Sequence, residues 1–566
     1  MASENEKQPQ ASHEPTAISD AVPQSPESSI LDTDTKHGYP TGIRLAFIMA
    51  SLMLGTALMA LDATIISVAT PEISTQFKAL EDVGWYGAAY SMLLTATTPI
   101  ASNFYKYFDP KWVYLGSIVV FEAGSVLCAA APTSAAFITG RAIAGIGAAG
   151  LLQGAFGILT YVCTLEKRPL FLGGVVSLFG LFSSAGPVIG GALTQDTTWR
   201  WCFWINLPLG GVVFGLIILF LQLHGVDQST RNIPFKAKLK KLDLPGVVLL
   251  ISSVTCLFLA LQQGGNTVPW NHSRPIGLCV GFGLILILFG LRQWQAGEDA
   301  TIPIRYLKDR TVIWGSLYLF WDNMASYLSI YYMPFYFQAS LGQSPLKSGV
   351  SYMSLAVPQM IGLIAGGGIT TATGHYMPVI LVAQVLCAIG AGLLTTITAT
   401  TATALWATFM VLCGLGLGLG VNVPHIAIQA VMETDNDVFI ANGIASFFGQ
   451  LGGSIGVPIG NALLLRALHS LIPQHAPSVS ADSVIKAGPT ALRELAAGER
   501  VVLAGLRQAW ALAVGQVNIL LVAVICVSVP MACGMKWLNI KTISREREER
   551  KARCEGVQAD GEKVGA

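Results

Sequence analysis

Residues 44–70 read RLAFIMASLMLGTALMALDATIISVAT, an apolar run in which Asp62 is the single acidic residue. A helix that crosses the hydrocarbon core of a bilayer needs about 20 predominantly apolar residues, and this run exceeds that length. Residues 1–43 are instead rich in Ser, Pro, Glu, Asp and Gln and contain no secretory signal, so we expect a disordered cytoplasmic tail there. The run 44–70 therefore predicts an uncleaved first membrane span.

The rest of the chain has the same apolar character. Of its 566 residues, 52% are hydrophobic and 12% are charged, and the mean hydropathy is +0.57. Soluble proteins carry about 25% charged residues, so this chain has too few charges to cover a soluble surface. Its 34 Lys and Arg residues nearly balance 33 Asp and Glu residues, which gives no indication of a nucleic-acid partner. The ten cysteines show neither a CxxC pair nor metal-ligand spacing, so we expect no metal site.

Further apolar runs of spanning length follow along the chain. The candidate spans lie near residues 44–70, 84–104, 112–131, 134–162, 170–194, 203–223, 245–263, 275–293, 311–337, 348–370, 377–399, 404–430, 441–465 and 513–536. The predicted fold is an all-α polytopic membrane protein with about 14 transmembrane helices, in contact with membrane lipid.

The distribution of Lys and Arg orients these spans. Cytoplasmic loops are enriched in both residues, and with the N-terminus inside, fifteen of them fall in or beside the short inner loops between positions 36 and 310. The short outer loops hold Lys78, Arg200, Arg274 and Lys347. This bias predicts a cytoplasmic N-terminus. It also places the sequon Asn271-His272-Ser273 in an outer loop, where Asn271 is a candidate for N-glycosylation.

Four ionisable residues stand out inside the predicted spans: Asp62, Glu122, Arg141 and Asp322. Such side chains are costly at bilayer depth, so each is a candidate functional residue. Asp62 and Arg141 lie about eight and seven residues from the outer ends of the first and fourth spans, roughly 10–12 Å deep. An Asp–Arg pair would lower the cost of burying either charge and make the proton affinity of the carboxylate depend on the pair. The matched depth therefore predicts a proton-coupling site.

The other two acids have no basic neighbour in sequence. Glu122 is central in the third span, and Asp322 follows Trp321 in the middle of the ninth. Both are candidates for proton coupling, and Asp322 could also bind a polar group of a substrate. The alternative for each charged residue is structural, since buried polar groups also bond neighbouring helices. We interpret His425, which lies in the twelfth candidate span, as structural.

Four motifs resemble the major facilitator superfamily, specifically its fourteen-span drug:proton antiporters and within those the fungal toxin efflux pumps. Residues 61–71, LDATIISVATP, resemble the LDxTIVNVALP signature of the first span, and residues 140–147, GRAIAGIG, contain the fourth-span RxxxGxG motif. Residues 186–191, GPVIGG, match the antiporter motif GPxxGG, and residues 199–208, WRWCFWINLP, match the WRWxFxINxP hallmark. The resemblance covers about residues 44–536.

The resemblance implies the major facilitator fold, in which two six-helix bundles rock about a central cavity. It places the first bundle at 44–223 and the second at 311–536, the latter with an extracellular loop at 466–512. Residues 224–310 would form a cytoplasmic linker and two extra spans, and 537–566 a basic cytoplasmic tail.

The resemblance also implies how the protein works. It assigns proton transfer to Arg141 and a pivot to Gly186, Pro187, Gly190 and Gly191, because proline interrupts the helix ladder and glycine allows close helix approach. It favours a monomeric exporter of small organic molecules such as toxins or drugs. The proton gradient would drive it without a cofactor, in the plasma membrane or the vacuolar membrane.

One loop departs from the family's pattern. The family's loop after the second span reads near GxLxDRxGRR, whereas residues 102–112 here read SNFYKYFDPKW, with Lys106 at the usual aspartate position. The family's network of gating charges therefore cannot be carried over to this chain.

Aromatic and amide side chains in the spans are candidates for the cavity wall. They suit bulky, mostly apolar molecules with a few polar groups, although aromatic residues in spans also face lipid or pack. The candidates are Trp85, Tyr90, Gln153, Trp321, Asn323, Gln359, Asn442 and Gln450.

Other classes of membrane protein fit less well. An ATP-driven pump needs the motif GxxxxGK[ST], which the sequence lacks, and an enzyme needs clustered chemistry, whereas the eight histidines are scattered. An importer of siderophores, peptides or amino acids from the same superfamily stays open, since the fold does not specify the direction of transport.

Overall fold

The computed structural model of the chain describes residues 40–77, 79, 82–222, 234–264, 268–432, 434–488, 492–547 and 549. Most of the predicted N-terminal tail, 1–43, and much of the predicted basic tail, 537–566, lie outside the described residues. The described part of the basic tail packs on the protein, since Arg547 donates to the carbonyl oxygens of Ala430 and Met432 at 2.7 and 2.6 Å.

The first bundle contains six long helices. They are α1 (Gly42–Phe77), α2 (Val83–Tyr107), α3 (Pro110–Ala129), α4 (Ser134–Val162), α5 (Arg168–Asp196) and α6 (Asn206–Phe220), the last preceded by the turn Trp201–Trp204. Side-chain caps stabilise the first turns of two of these helices. Asp109 caps α3 by accepting a hydrogen bond from the backbone N–H of Lys111, and Thr133 caps α4 in the same way. Side-chain oxygens at this position satisfy backbone donors that have no partner within the helix.

Two further helices, α7 (Leu244–Gln263) and α8 (Ser273–Ala296), follow the short helix Phe235–Lys240. Asp243 precedes α7 with a left-handed backbone, φ 44°, which is strained for a residue with a side chain. Its buried carboxylate holds this geometry by accepting from Arg292 at 2.8 Å, Gln293 at 3.0 Å and Thr301 at 3.2 Å. This cluster joins the extra pair to the chain segment that leads into the second bundle. The sequon residue Asn271 is exposed before α8, and its glycosylation stays a prediction.

The second bundle follows the 3-10 turn Gly297–Asp299 and the short helix Ile304–Lys308. Its long helices are α9 (Arg310–Phe335), α10 (Pro345–Thr373), α11 (Met377–Leu394), α12 (Thr403–Val421), α13 (Asp435–His475) and α14 (Arg500–Gly534). A π-helical turn, Tyr336–Ser340, extends α9, and the helix Val423–Val431 continues α12 beyond a break at Asn422. Two short helices, Ala481–Ala487 and Leu492–Leu495, connect α13 to α14.

Two predicted segments show further helical detail. The run 404–430 falls in one candidate span, Thr403–Val431, whose helix is interrupted at Asn422, before Val423 and Pro424. Within the expected loop 466–512, α13 continues to His475 and α14 begins at Arg500.

Within the described part of the chain, twelve helices are long and apolar enough to cross a membrane. The two that fall short are α2 and α9, with 25 and 26 residues. Both carry buried polar residues that lower their hydropathy: Thr95, Thr98, Ser102 and Asn103 in α2, and Asp322, Ser326 and Ser329 in α9. The count of fourteen spans stays a prediction.

The two bundles meet mainly along two helix pairs, α5 with α10 and α2 with α13. Glycines allow close approach at the first pair: a Cβ added at Gly173 would lie 2.8 Å from the carbonyl oxygen of Leu363 on α10. We call the end of the molecule that carries Arg44, Lys111 and Arg305 the inner end, since the charge rule assigns it to the cytoplasm.

Candidate functional site

A buried ion pair lies inside the first bundle. Nη1 of Arg141 on α4 donates to Oδ2 of Asp62 on α1 at 2.6 Å, and the two side chains are 1% and 0% exposed. Nε of Arg141 donates to the carbonyl oxygen of Tyr86 at 3.0 Å, and the guanidinium lies 4.5 Å from the ring centroid of Tyr90. A buried charge is tolerated when it is paired and hydrogen-bonded. The structure therefore brings together the two charges that the sequence places at one depth.

Asn206 completes this cluster, and the sequence analysis gave it no role. Its Nδ2 group donates to Oδ1 of Asp62 at 3.2 Å and to Oγ of Ser125 at 3.1 Å. Asn206 begins α6 within the WRWxFxINxP hallmark. An amide side chain at the outer end of an apolar span was therefore the feature of the sequence that could have identified it. We call Asp62, Arg141, Asn206 and Ser125 the charged cluster; it joins four helices.

The antiporter motif contacts α1 directly beside the charged cluster. A Cβ added at Gly190 on α5 would lie 2.8 Å from the carbonyl oxygen of Ile65, and one added at Gly186 would lie 3.0 Å from Cβ of Thr64. Real Cβ contacts are essentially never shorter than 3.0 Å. Pro187 lies inside α5, and Gly191 is half-buried. The motif thus keeps α5 against α1 within one helical turn of Asp62.

We expect Gly190→Ala to separate α1 from α5 and to reduce transport. The added methyl group meets backbone at Ile65, and overpacking of this kind costs about 1–3 kcal/mol. The matched control is Gly174→Ala in the same helix, where the methyl group would lie 3.6 Å from Cε of Met53, an ordinary contact. Export rate and thermal stability of both variants measure the effect, and equal behaviour would contradict a close-packed contact at Gly190.

Asp322 lies in the second bundle without a basic partner in the described chain. Its Oδ1 accepts from Tyr318 at 3.3 Å and from Gln384 at 3.4 Å, and its Oδ2 is buried with no hydrogen-bond partner. Gln384 in turn accepts from Ser528 at 2.7 Å. Asp322 is thus on the first helix of its bundle and is linked through Gln384 on the third helix to Ser528 on the sixth, while the charged cluster joins the first, third, fourth and sixth helices of its own bundle. Internal repeats in transporters produce such correspondence.

Glu122 lies outside both groups. It is on α3, three residues before Ser125, and its side chain faces Gly210 of α6, so it lies about one helical turn closer to the inner end. Both of its carboxyl oxygens are buried without a hydrogen-bond partner in the described part of the chain. The structure therefore does not bring Glu122 into the charged cluster.

A cavity of about 100 Å³ lies between the bundles. From the first bundle it is lined by Thr56, Met59, Leu152, Ala155, Phe156, Val175, Val176 and Phe179. From the second it is lined by Leu319, Asn323, Val421, Asn422, His425, Ala445, Ser446, Gly449 and Gln450. None of these described lining residues is Asp, Glu, Lys or Arg. The volume is below the roughly 300 Å³ of typical ligand pockets, so a larger molecule needs the bundles to separate.

Of the eight predicted cavity residues, Asn323 and Gln450 line this cavity. The others lie outside its wall: Trp85, Tyr90, Gln153, Trp321, Gln359 and Asn442. Tyr90 lies against Arg141, and Gln153 accepts from Ser102 at 3.2 Å near the inner end. Oδ1 of Asn442 lies 3.2 Å from Nδ1 of His425. The sequence analysis gave no cavity role to Asn422, His425 and Ser446, and Pro424 was the signal in the sequence for a helix break beside the first two.

Aromatic rings close the inner end below the cavity. The ring of Phe439 on α13 stacks on Tyr105 of α2 with centroids 5.2 Å apart, and it lies 5.9 Å from the ring of Tyr161 on α4. Gly157 faces the same ring without room for a Cβ. We call Tyr105, Gly157, Tyr161 and Phe439 the inner seal. It joins the two bundles where the loop 102–112 lacks the family's charges.

An ion pair supports the seal. Arg305 lies between α8 and α9 and donates to Oδ1 of Asp437, at the start of α13, at 2.7 Å. The neighbouring hydroxyl of Tyr306 donates to the same oxygen. In this structure the cavity is therefore closed towards the inner end.

Two helical bundles around a cavity that is closed towards the inner end, with a buried ion pair beside it, define a multi-pass membrane transporter. The family described as Major Facilitator Superfamily matches residues 52–457. The chain belongs to this family, and the predicted fold class and family are confirmed.

Curated relatives and solved structures agree with this assignment. "MFS-type efflux pump MFS1" of Arthroderma benhamiae is 40% identical over 501 residues, 88% of this chain and 93% of its own length. "Efflux pump aflT" of Aspergillus parasiticus is 36% identical over 506 residues, 88% of this chain and 97% of its own length. The proton:xylose symporter XylE has a similar fold, with a TM-score of 0.54 at 14% identity over 88% of this chain and 98% of XylE.

Proposed function

We propose that this protein is a proton-coupled antiporter that exports small organic molecules. The observation that carries the proposal is the buried Asp62–Arg141 pair, of which Asp62 lies on the same helix α1 as the cavity residues Thr56 and Met59. Protonation of the Asp62 carboxylate removes its charge and weakens its bond to Arg141. The change in the bond between Asp62 and Arg141 reaches the cavity through α1. The turn of α1 that follows Asp62 packs against Gly186 and Gly190.

A second carboxylate contributes to coupling in this proposal. Asp322 occupies the corresponding helix of the second bundle, and Tyr318 and Gln384 contact one of its two oxygens. Without an arginine partner in the described chain, it can accept a proton without breaking an ion pair. Glu122 is the third candidate, and its position one turn from Ser125 makes it an accessory to the charged cluster.

Export is favoured over import by two facts about the sequence. The GPVIGG motif at 186–191 resembles the antiporter motif, and the fungal relatives are named efflux pumps. The proposed energy source is the proton gradient, without a cofactor, and the proposed unit is a monomer. The proposed location is the plasma membrane of a fungus, with the vacuolar membrane as the alternative. The second candidate function is proton-coupled import within the same superfamily.

Efflux from a pump-deficient yeast that expresses the chain tests the proposal. We expect at least one member of a panel of fluorescent drugs and fungal metabolites to leave these cells faster than it leaves cells with an empty vector. We expect a protonophore to abolish the difference, since it removes the gradient that drives exchange. Net uptake of a panel member would favour the importer. Export that continues unchanged in the presence of the protonophore would contradict proton coupling.

A further inference from the structure

The cavity has two chemically different walls, and these walls indicate a substrate class for the proposed function, on which the inference rests. The wall from the first bundle is apolar, and its one hydroxyl group, on Thr56, already donates to the carbonyl oxygen of Met53 at 2.9 Å. The wall from the second bundle carries Asn323, His425, Ser446 and Gln450. A molecule between these walls meets hydrocarbon on one face and hydrogen-bonding groups on the other.

His425 is held in one orientation at the polar wall. Its ring stacks on Phe156 with centroids 4.6 Å apart and planes inclined by 17°, and its Nδ1 lies 3.2 Å from Oδ1 of Asn442. An amide oxygen only accepts hydrogen bonds, so Nδ1 carries the proton in this arrangement and Nε2 of the neutral ring is an acceptor. His425 therefore offers an acceptor of fixed direction to a hydroxyl or N–H group.

Ser446 supplies a second unused group. Its Oγ is buried, lies beside the cavity and has no hydrogen-bond partner in the described chain. A buried hydroxyl group without a partner costs about 1–3 kcal/mol. A ligand that bonds Ser446 relieves this cost, which favours molecules with a polar edge over purely apolar ones.

Charge is absent from the described cavity wall, and this limits the class of ligand further. A carboxylate or ammonium group in such a site would be desolvated without a counter-ion, which is strongly unfavourable. We propose that the transported molecules are uncharged, with one apolar face and one edge that donates a hydrogen bond, and that His425 and Ser446 recognise this edge. His425 is thus a specificity-determining residue.

Binding to the purified protein in detergent tests this inference without a proton gradient. The probes are three boron-dipyrromethene dyes with the same fluorophore: a neutral alcohol, its methyl ether and the corresponding carboxylate. We expect the wild type to bind the alcohol about tenfold more tightly than the ether, as one or two hydrogen bonds allow. We expect the carboxylate to bind at least about a hundredfold more weakly than the alcohol.

Three variants separate recognition from structure. His425→Phe keeps the stack on Phe156 but removes the acceptor, and Ser446→Ala removes a hydroxyl that bonds nothing in the described chain. We expect each to reduce the alcohol-to-ether ratio to about twofold without weakening the ether. Phe179→Leu on the apolar wall should weaken both dyes alike and leave the ratio unchanged.

Each outcome decides a part of the inference. An unchanged ratio in both polar-wall variants overturns the role of His425 and Ser446. Equal binding of alcohol and carboxylate by the wild type overturns the restriction to uncharged molecules, and failure to bind any of the three dyes overturns the proposed class. None of these results depends on coupling, so export from yeast still tests the transport function separately.

Discussion

Replacement of Asp62 by asparagine is expected to abolish proton-coupled export and to destabilise the first bundle. The amide neither takes up nor releases a proton, so the Arg141 pair no longer responds to the gradient. It also leaves Arg141, 1% exposed, without its counter-charge. Removal of one partner from a buried ion pair costs about 3–5 kcal/mol. Export from yeast with and without protonophore measures the first effect, and thermal unfolding in detergent measures the second.

Two further variants separate coupling from folding. Asp196→Asn removes an exposed acid at the outer end of α5 and should behave as the wild type in both assays. The double variant Asp62→Asn with Arg141→Gln removes both charges, so we expect it to recover stability but not export. Proton-dependent export that survives Asp62→Asn would instead move the coupling role to Asp322 or Glu122.

Gly157→Leu is expected to keep the inner end open and to stop export. A Cβ at Gly157 overlaps the ring of Phe439, so a leucine there displaces α13 from α4. Overpacking costs of about 1–3 kcal/mol change a two-state equilibrium by about 5- to 150-fold. The seal exists only when the inner end is closed, so this cost falls on the closed state. The expected molecule still folds but does not complete the transport cycle.

Thiol labelling at the inner end measures this shift. The reporter is Ser102→Cys, at a position 1% exposed behind the inner seal. Its parent chain has serine in place of the exposed cysteines of the described residues, Cys279, Cys526 and Cys533, and in place of Cys554, which lies outside the described residues. We expect an impermeant maleimide to label the reporter about tenfold faster in Gly157→Leu than in its parent. Gly215→Leu is the control, because nothing lies within 4 Å of a Cβ added there. Equal labelling of both variants would show that Phe439 does not close the inner end.

The charged cluster shows what the sequence could and could not predict. Asp62 and Arg141 were predictable as partners, because span boundaries fix depth and both charges fall at one depth. Asn206 and Ser125 were not, since the bonds that Asn206 donates to Asp62 and to Ser125 depend on how three apolar helices are rotated about their axes. Helices surrounded by lipid and other helices are apolar on every side, so their sequences carry little information about rotation.

The same lack of information about helix rotation explains why the residues that line the cavity were only partly predictable. Asn323 and Gln450 line it as expected, whereas Trp321, the immediate neighbour of Asp322, packs edge-on against Phe320 instead. Glycines illustrate the same limit. The run 348–370 contains five glycines, and the sequence does not indicate that Gly362 and Gly366 are the two that let α10 approach the backbone of α12 closely.

The charged cluster and the cavity wall share no residue, although α1 contributes to both. Substitutions at Phe179, Ser446 or His425 can therefore alter what is carried without touching the groups proposed to exchange protons. Duplicated genes with this fold can diverge in cargo by a few changes on one surface while they inherit energy conversion intact. Such separation suits a lineage in which the molecules to be expelled change faster than the means of expelling them.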